Sequence, residues 1–430
     1  MILLKAQIPM NPLFPPEHHI PDGEAHTWPD GRIYVYGSYD TDGDTFYCSG
    51  KYHVFSSNDM LTWKDHGVSF TASQGHTPMR RLFAPDCMYK DGKYYLAYCG
   101  PGGVEGFAVS EDPGGPFSDA FAVQGADGDA IDPAVLVDDD SSVYYFWGQF
   151  SLRGARLTDD LHAIDKNTFD PAMLTEEKDG FHEGACIRKR NGLYYMVYTD
   201  TSRGKATSLG YAISKSPLGP YEKKGIIIDN DGCDPETWNN HGSIEPFNGQ
   251  WYVFYHRSSQ GARCNRRMCA EPIRFNADGT IDEVEMTTQG ASGPLDAFQP
   301  LGAWRACELS GKVYAKPFDR RSPETPYEER LTNVHNDDWA VYRYLNFKGG
   351  ASVFKAVAGC AVGEGRIEVR LDGRKGPLVA TCPIGKTGHW NFTETFSAEL
   401  TQPVQGIHAV YLHLRGMNGR MFDLESLHFE

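Results

Sequence analysis

The chain lacks several features that would assign it to large functional classes. No stretch of the 430 residues approaches the ~18 consecutive apolar residues of a transmembrane helix. The opening Met1-Ile-Leu-Leu-Lys has neither the basic segment nor the long apolar core of a secretory signal. The ten cysteines follow no framework spacing, and the closest pair, Cys264 and Cys269, is not spaced as a zinc knuckle. They are expected to be reduced core thiols, which suits the cytoplasm. Positive charge is also in deficit. Lys and Arg number 41 against 57 Asp and Glu, a net charge of −16. That argues against a nucleic-acid or anionic-membrane partner, both of which require positive potential. Gly100-Pro-Gly-Gly-Val-Glu-Gly is not a dinucleotide fingerprint, because no helix or βαβ unit follows it. The group Glu17, His18, His19, Asp22, Glu24 and His26 lacks the helical His-x-x-x-His spacing of a catalytic zinc site.

What the chain has is turns and aromatic residues: 46 Gly, 26 Pro and 13% aromatics, a balance that favours short strands over long helices. The strands repeat. A turn followed by an aromatic run occurs at Asp30-Gly-Arg-Ile-Tyr, Asp91-Gly-Lys-Tyr-Tyr, Asp140-Ser-Ser-Val-Tyr, Asn191-Gly-Leu-Tyr-Tyr and Asn248-Gly-Gln-Trp-Tyr, roughly 50–60 residues apart. Asp-Gly and Asn-Gly are strong hairpin signals because these residues tolerate positive φ. Further strand-like pieces, such as His53-Val-Phe-Ser and Tyr211-Ala-Ile-Ser, follow each copy. Each unit therefore amounts to about four strands, the size of a propeller blade. The expected fold is all-β: a five-bladed β-propeller over residues 8–298, then a β-sandwich of jelly-roll type over 299–430, where Arg366-Ile-Glu-Val-Arg-Leu and His408-Ala-Val-Tyr-Leu alternate without the turn repeat. The segment 320–330 is expected to be a loop.

Eight residues before each turn stand Asp22, Phe83, Asp132, Glu183 and Asn240. Blade-equivalent positions meet around the central axis of a propeller, so the register brings three acids into one pocket. Burial and mutual repulsion would raise at least one pKa and leave a protonated acid beside an ionised base. That combination is what glycoside hydrolysis needs.

Ile131-Asp132-Pro-Ala-Val-Leu, His182-Glu183-Gly-Ala, Phe83-Ala-Pro-Asp86 and His241-Gly-Ser-Ile, together with the five-unit pattern, resemble glycoside hydrolase family 43. The resemblance implies an inverting enzyme acting on arabinose- or xylose-containing glycans. Asp22 would be the general base, Glu183 the general acid and Asp132 the residue that orients and tunes the acid. Pro21-Asp22-Gly23 stands where many members have Asp-Pro, which keeps Glu24 in reserve as the base. His241 matches a histidine that members place near a bound calcium or sodium ion, so a structural cation in the channel is expected but no cofactor for the chemistry. Arg266, with Arg267 as its alternative, falls where members contact the sugar, and Trp28, Phe83 and Trp147 are candidate apolar walls. The C-terminal pieces Gly365-Arg-Ile-Glu-Val-Arg-Leu, Thr387-Gly-His-Trp390 and Gly406-Ile-His-Ala-Val resemble a family 6 carbohydrate-binding module, with Trp390 as its candidate sugar platform. The leading expectation is an exo-acting arabinofuranosidase or xylosidase. The alternatives are a non-catalytic glycan-binding propeller, an endo-arabinanase or xylanase, and a galactosidase.

Overall fold

A computed structural model describes residues 10–126, 130–318, 329–361 and 363–430. The N-terminal segment 1–9 and most of the segment 320–330 lie outside the described residues. The one part of 320–330 within them, Glu329–Thr332, is a strand rather than loop. The fold is all-β: among the described residues the only α-helix is the single turn Glu176–Asp179.

Five antiparallel sheets follow one another along the chain, each a meander in strict sequence order. The first holds Glu24–Thr27, Ile33–Gly37, Lys51–Ser57 and Trp63–Thr71, and the second Asp86–Lys90, Lys93–Gly100, Val104–Ser110 and Ser118–Ala122. The third holds Ala134–Val137, Val143–Trp147, Ser151–Arg156 and Asp170–Thr175, and the fourth Phe181–Arg190, Leu193–Asp200, Ser208–Ser214 and Glu222–Asp229. The fifth has three strands, Ser243–Phe247, Gln250–Ser259 and Ala262–Ile273. The repeated turns join the first two strands of each sheet. At Asp91-Gly92, Asn191-Gly192 and Asn248-Gly249 both central residues have positive φ, the primed geometry that matches strand twist.

Neighbouring sheets share apolar cores in cyclic order. Tyr36 and Val54 of the first pack with Leu96 and Ala108 of the second. Phe107 joins Tyr145 between the second and third, and Phe146 joins Met196 between the third and fourth. Val197 joins Val253 between the fourth and fifth, and Phe254 meets Val35 between the fifth and the first. The first strands of the fifth and first sheets are also tied by hydrogen bonds: Ser243 Oγ accepts from Ala25 N at 3.0 Å and donates to Gly23 O at 2.9 Å.

Two six-stranded sheets form the C-terminal region around one shared core, in which Tyr342 and Leu412 of one sheet meet Phe354 and Leu427 of the other. Leu295–Asp296 already pairs with Leu345–Asn346 of this region, and Met10 is buried in its core. The two regions are tied by a buried bidentate pair, Arg267 donating to Glu329 at 2.7 and 2.6 Å.

Candidate functional site

Where the first strands of the sheets converge, a cavity of about 230 Å³ opens to solvent. Asp22, Phe83, Asp132, Glu183, His241 and Arg266 all line it. Local backbone explains how two of the acids get there. Asp22 (φ 57°) and Asp132 (φ 55°) both adopt the left-handed conformation just before a first strand, one that aspartate tolerates better than most residues. Beside Glu183, Gly184 has φ 70°, and a Cβ there would lie 2.9 Å from the His241 ring, so only glycine lets that ring pack against the strand.

The three acids have different surroundings. Asp22 is buried, and burial pushes its pKa up, but Arg266, His256 and His241 outweigh that and hold the carboxylate below the usual range. Arg266 Nη1 donates to Asp22 Oδ1 at 2.8 Å, while its Nε and Nη2 grip Asp40 at 2.9 and 3.0 Å. Asp132 has no cation in contact. Burial, then the charges of Glu183, Asp22 and Glu105, push it well above the carboxylate range. Its backbone N–H donates to Cys99 Sγ at 3.2 Å. Behind it, Glu105 accepts from the Tyr145 hydroxyl at 2.6 Å and is itself pushed up to about 8 by burial. Glu183 accepts from Gln149 Nε2 at 2.6 Å through Oε2, which leaves Oε1 for a substrate. His241 Nδ1 faces Asp22 Oδ1 at 3.9 Å and Asp132 Oδ2 at 3.8 Å, and burial lowers its pKa.

The remaining sequence candidates lie elsewhere. Arg267 turns to the opposite face of its strand, into the contact with Glu329. Trp28 is outside the cavity: its Nε1 donates to the Tyr36 hydroxyl at 2.9 Å and its ring stacks on His26 at 4.7 Å. Trp147 is fully buried and stacks on Phe169. Glu24, two residues from Asp22, joins a second buried cluster in which Arg188 donates to Glu24 at 2.6 Å and to Glu245 at 2.7 Å, and His26 pairs with Asp86 at 2.7 Å. The cation expected in the channel would be held by His241 together with Asp22 and Asp132, whose facing oxygens lie 3.9 and 3.8 Å from His241 Nδ1. Phe46, Tyr47, Gln149 and Trp238, which belong to no sequence motif, also line the cavity. Phe46 and Trp238 are half exposed, on segments between strands where no repeat register reaches.

In the C-terminal region, Trp390 borders a separate cavity of about 300 Å³ with Tyr314, Asn333 and Arg420. The Arg420 guanidinium lies over the Trp390 ring at 3.9 Å.

Comparison with known proteins gives a consistent picture. The model of glycosyl hydrolases family 43 matches residues 20–281, and that of carbohydrate binding module family 6 matches residues 320–430. A xylosidase/arabinosidase of Thermoclostridium stercorarium is 29% identical, with 94% of this chain and 96% of that protein covered. A solved arabinoxylan arabinofuranohydrolase of Bacillus subtilis, in complex with cellotetraose, is 25% identical with a TM-score of 0.54 and covers 97% of both chains. A solved β-xylosidase/α-arabinofuranosidase from a compost microbial metagenome, in complex with xylotriose, is 30% identical with a TM-score of 0.55. It covers 66% of this chain and 97% of its own.

Proposed function

The chain belongs to glycosyl hydrolases family 43, and from that premise we propose that it is an inverting exo-glycosidase that removes terminal arabinofuranose or xylose from plant-derived oligosaccharides. The observation that carries the reading is that Asp22, Asp132 and Glu183 line one open cavity in unlike surroundings: Arg266 bonds Asp22 and holds it below the usual carboxylate range, while burial and acidic neighbours push Asp132 well above it. The proposed architecture is a five-bladed propeller over 8–298 and a jelly roll over 299–430. The cyclic order of shared cores and the single core between the two C-terminal sheets support it.

In the proposed reaction a water attacks the anomeric carbon as Asp22 takes its proton. The glycosidic C–O bond breaks, and Glu183 Oε1 delivers a proton to the departing oxygen. Asp22 then returns its proton to solvent and Glu183 regains one. Asp132, buried beside Glu183, has the role of orienting and tuning that acid. Arg266 keeps Asp22 ionised and closes one side of the cavity, and Phe83 offers an apolar wall. A volume of about 230 Å³ suits one sugar ring, below the roughly 300–1,000 Å³ of clefts for larger ligands. It favours removal of a terminal sugar over cleavage within a polymer. No cofactor takes part in these steps.

The test is a panel of 4-nitrophenyl glycosides, followed by proton NMR of the first sugar released. Cleavage of the α-L-arabinofuranoside, with the β-D-xyloside weaker or comparable, and release of the inverted anomer are expected. Retention contradicts the mechanism. Cleavage of a galactoside alone contradicts the substrate, and cleavage of no glycoside favours a sugar-binding protein.

A further inference from the structure

A third group of ligand-type side chains lies away from the cavity, on the outer part of the first sheet. His18 comes from the segment that enters the first sheet, His53 from the strand Lys51–Ser57, and Asp65 from Trp63–Thr71. One ligand atom from each falls within 4.8 Å of the other two. His18 Nε2 stands 3.5 Å from Asp65 Oδ2, and His53 Nδ1 stands 3.9 Å from Asp65 Oδ1. These gaps are too long for hydrogen bonds, so the three groups face one another without closing. The His53 side chain is only 7% exposed, yet its Nδ1 has no hydrogen-bond partner among the described residues. A buried polar atom left in that state is costly unless a ligand satisfies it.

We propose that His18, His53 and Asp65 bind a divalent transition-metal cation of zinc type, with water completing the coordination. Imidazole nitrogens and carboxylate oxygens hold such ions at about 2.0–2.2 Å, which sets ligand atoms of a tetrahedral site about 3.3–3.5 Å apart. The observed 3.5 and 3.9 Å run to the two oxygens of Asp65 and the three ligand groups lie within 4.8 Å of one another, so an inward movement of the side chains closes the site. Two nitrogens with one carboxylate favour zinc, cobalt or nickel over calcium or magnesium, which prefer oxygen. The surroundings fit. The Gly67 N–H donates to Asp65 Oδ1 at 2.6 Å and fixes the carboxylate. The nearby Lys51 ammonium lies over the Tyr39 ring at 3.8 Å.

The group Glu24, His26 and Asp86 also converges within 4.8 Å. There, however, Arg188 already holds Glu24 and His26 already bonds Asp86, so an ion would have to displace existing partners. In the His18 group, among the described residues, no side-chain partner has to be displaced. The chain passes from His18 through His19, which contacts Arg267 at 3.3 Å, to Asp22. An ion at His18 would therefore brace the segment that ends in the proposed base, without taking part in the chemistry.

The test uses tag-free, full-length protein stripped with chelator and titrated with Co²⁺, then Zn²⁺. The expected result is one equivalent of Co²⁺ giving the visible absorption of a tetrahedral site, displaced by Zn²⁺, together with a rise in Tm. Asp65→Asn, on a half-exposed side chain, should weaken uptake at least tenfold while leaving the far-ultraviolet circular dichroism unchanged. His18→Gln and His53→Gln should abolish the absorption and the Tm rise. No stoichiometric uptake by the unsubstituted protein, or uptake unchanged in Asp65→Asn and His18→Gln, would overturn the site.

Discussion

Two clusters made of nearly the same residue types sit around the first strands of the sheets. One holds Asp22, Asp132, Glu183, His241 and Arg266, and the other Glu24, Asp86, Glu245, His26 and Arg188. Asp22 and Glu24 are two residues apart, and Glu183 and Arg188 five. The difference lies in what the arginine holds. Arg188 is enclosed by Glu24, Glu245 and the carbonyls of Ala25 and Ile187, so its charge and donors are spent inside the protein. Arg266 spends its donors on Asp22 and Asp40, and leaves Asp132 and Glu183 without a cation at the edge of an open cavity. The first arrangement holds the sheets together. The second leaves acids facing an open cavity with room for a substrate. Residue type does not separate the two clusters; the placement of one cation does.

The sharpest way to break this comparison is to change the acid. Glu183→Gln should lower kcat by ~10²–10⁴-fold on substrates with a poor leaving group such as xylobiose. The loss should be much smaller on 4-nitrophenyl glycosides, whose leaving group needs little protonation. Equal losses on both would remove Glu183 from the role of acid. Asp132→Asn should also be severe on both, with the fold intact by circular dichroism.

Changing the other arginine should act on stability. Arg188→Met strands Glu24 and Glu245 and should cost about 3–5 kcal/mol, read from the urea midpoint, because removing one partner of a buried pair leaves an uncompensated charge. Adding Glu24→Gln and Glu245→Gln to that variant should recover part of the loss. An unchanged midpoint in Arg188→Met would mean that the cluster is not structural.

A smaller effect separates the clusters by pH. Asp22 is held below the usual carboxylate range, so it stays ionised as pH falls to ~4, and the acid limb of kcat/KM should lie lower still. Arg266→Met removes the main charge opposing burial and should shift that limb to higher pH, with Asp22 losing its role as base sooner on acidification. A limb that stays in place would assign it to another group. The smallest effect is expected in the C-terminal region. Arg420 covers one face of Trp390, in a cavity that shares no lining residue with that of Asp22. Trp390→Ala should therefore change kcat/KM on a nitrophenyl glycoside by less than about twofold, the range of a surface substitution.

Four of the five turns were legible because Asp-Gly and Asn-Gly tolerate positive φ, the fifth, Asp140-Ser-Ser, because the same aromatic run follows it, and their register led to the three acids that line the cavity. The same register could not choose between Arg266 and Arg267, since neighbours on a strand face opposite ways and only the position of Asp40 and Glu329 decides the parity. Trp28 and Trp147 were unreadable for a related reason: an aromatic side chain suits a core as well as a sugar wall, and here both pack internally. Phe46, Gln149 and Trp238 belong to connections with no repeat to place them. His18, His53 and Asp65 become neighbours only when the entering segment lies across the first sheet.

The comparison is tested most directly by measuring kcat/KM of Asp22→Asn and Glu24→Gln side by side on 4-nitrophenyl α-L-arabinofuranoside. Asp22→Asn should fall by ~10²–10⁴-fold while remaining folded, and Glu24→Gln should keep most of its activity at temperatures where it is folded. Loss in Glu24→Gln with activity preserved in Asp22→Asn would contradict the account and move the base two residues along the chain.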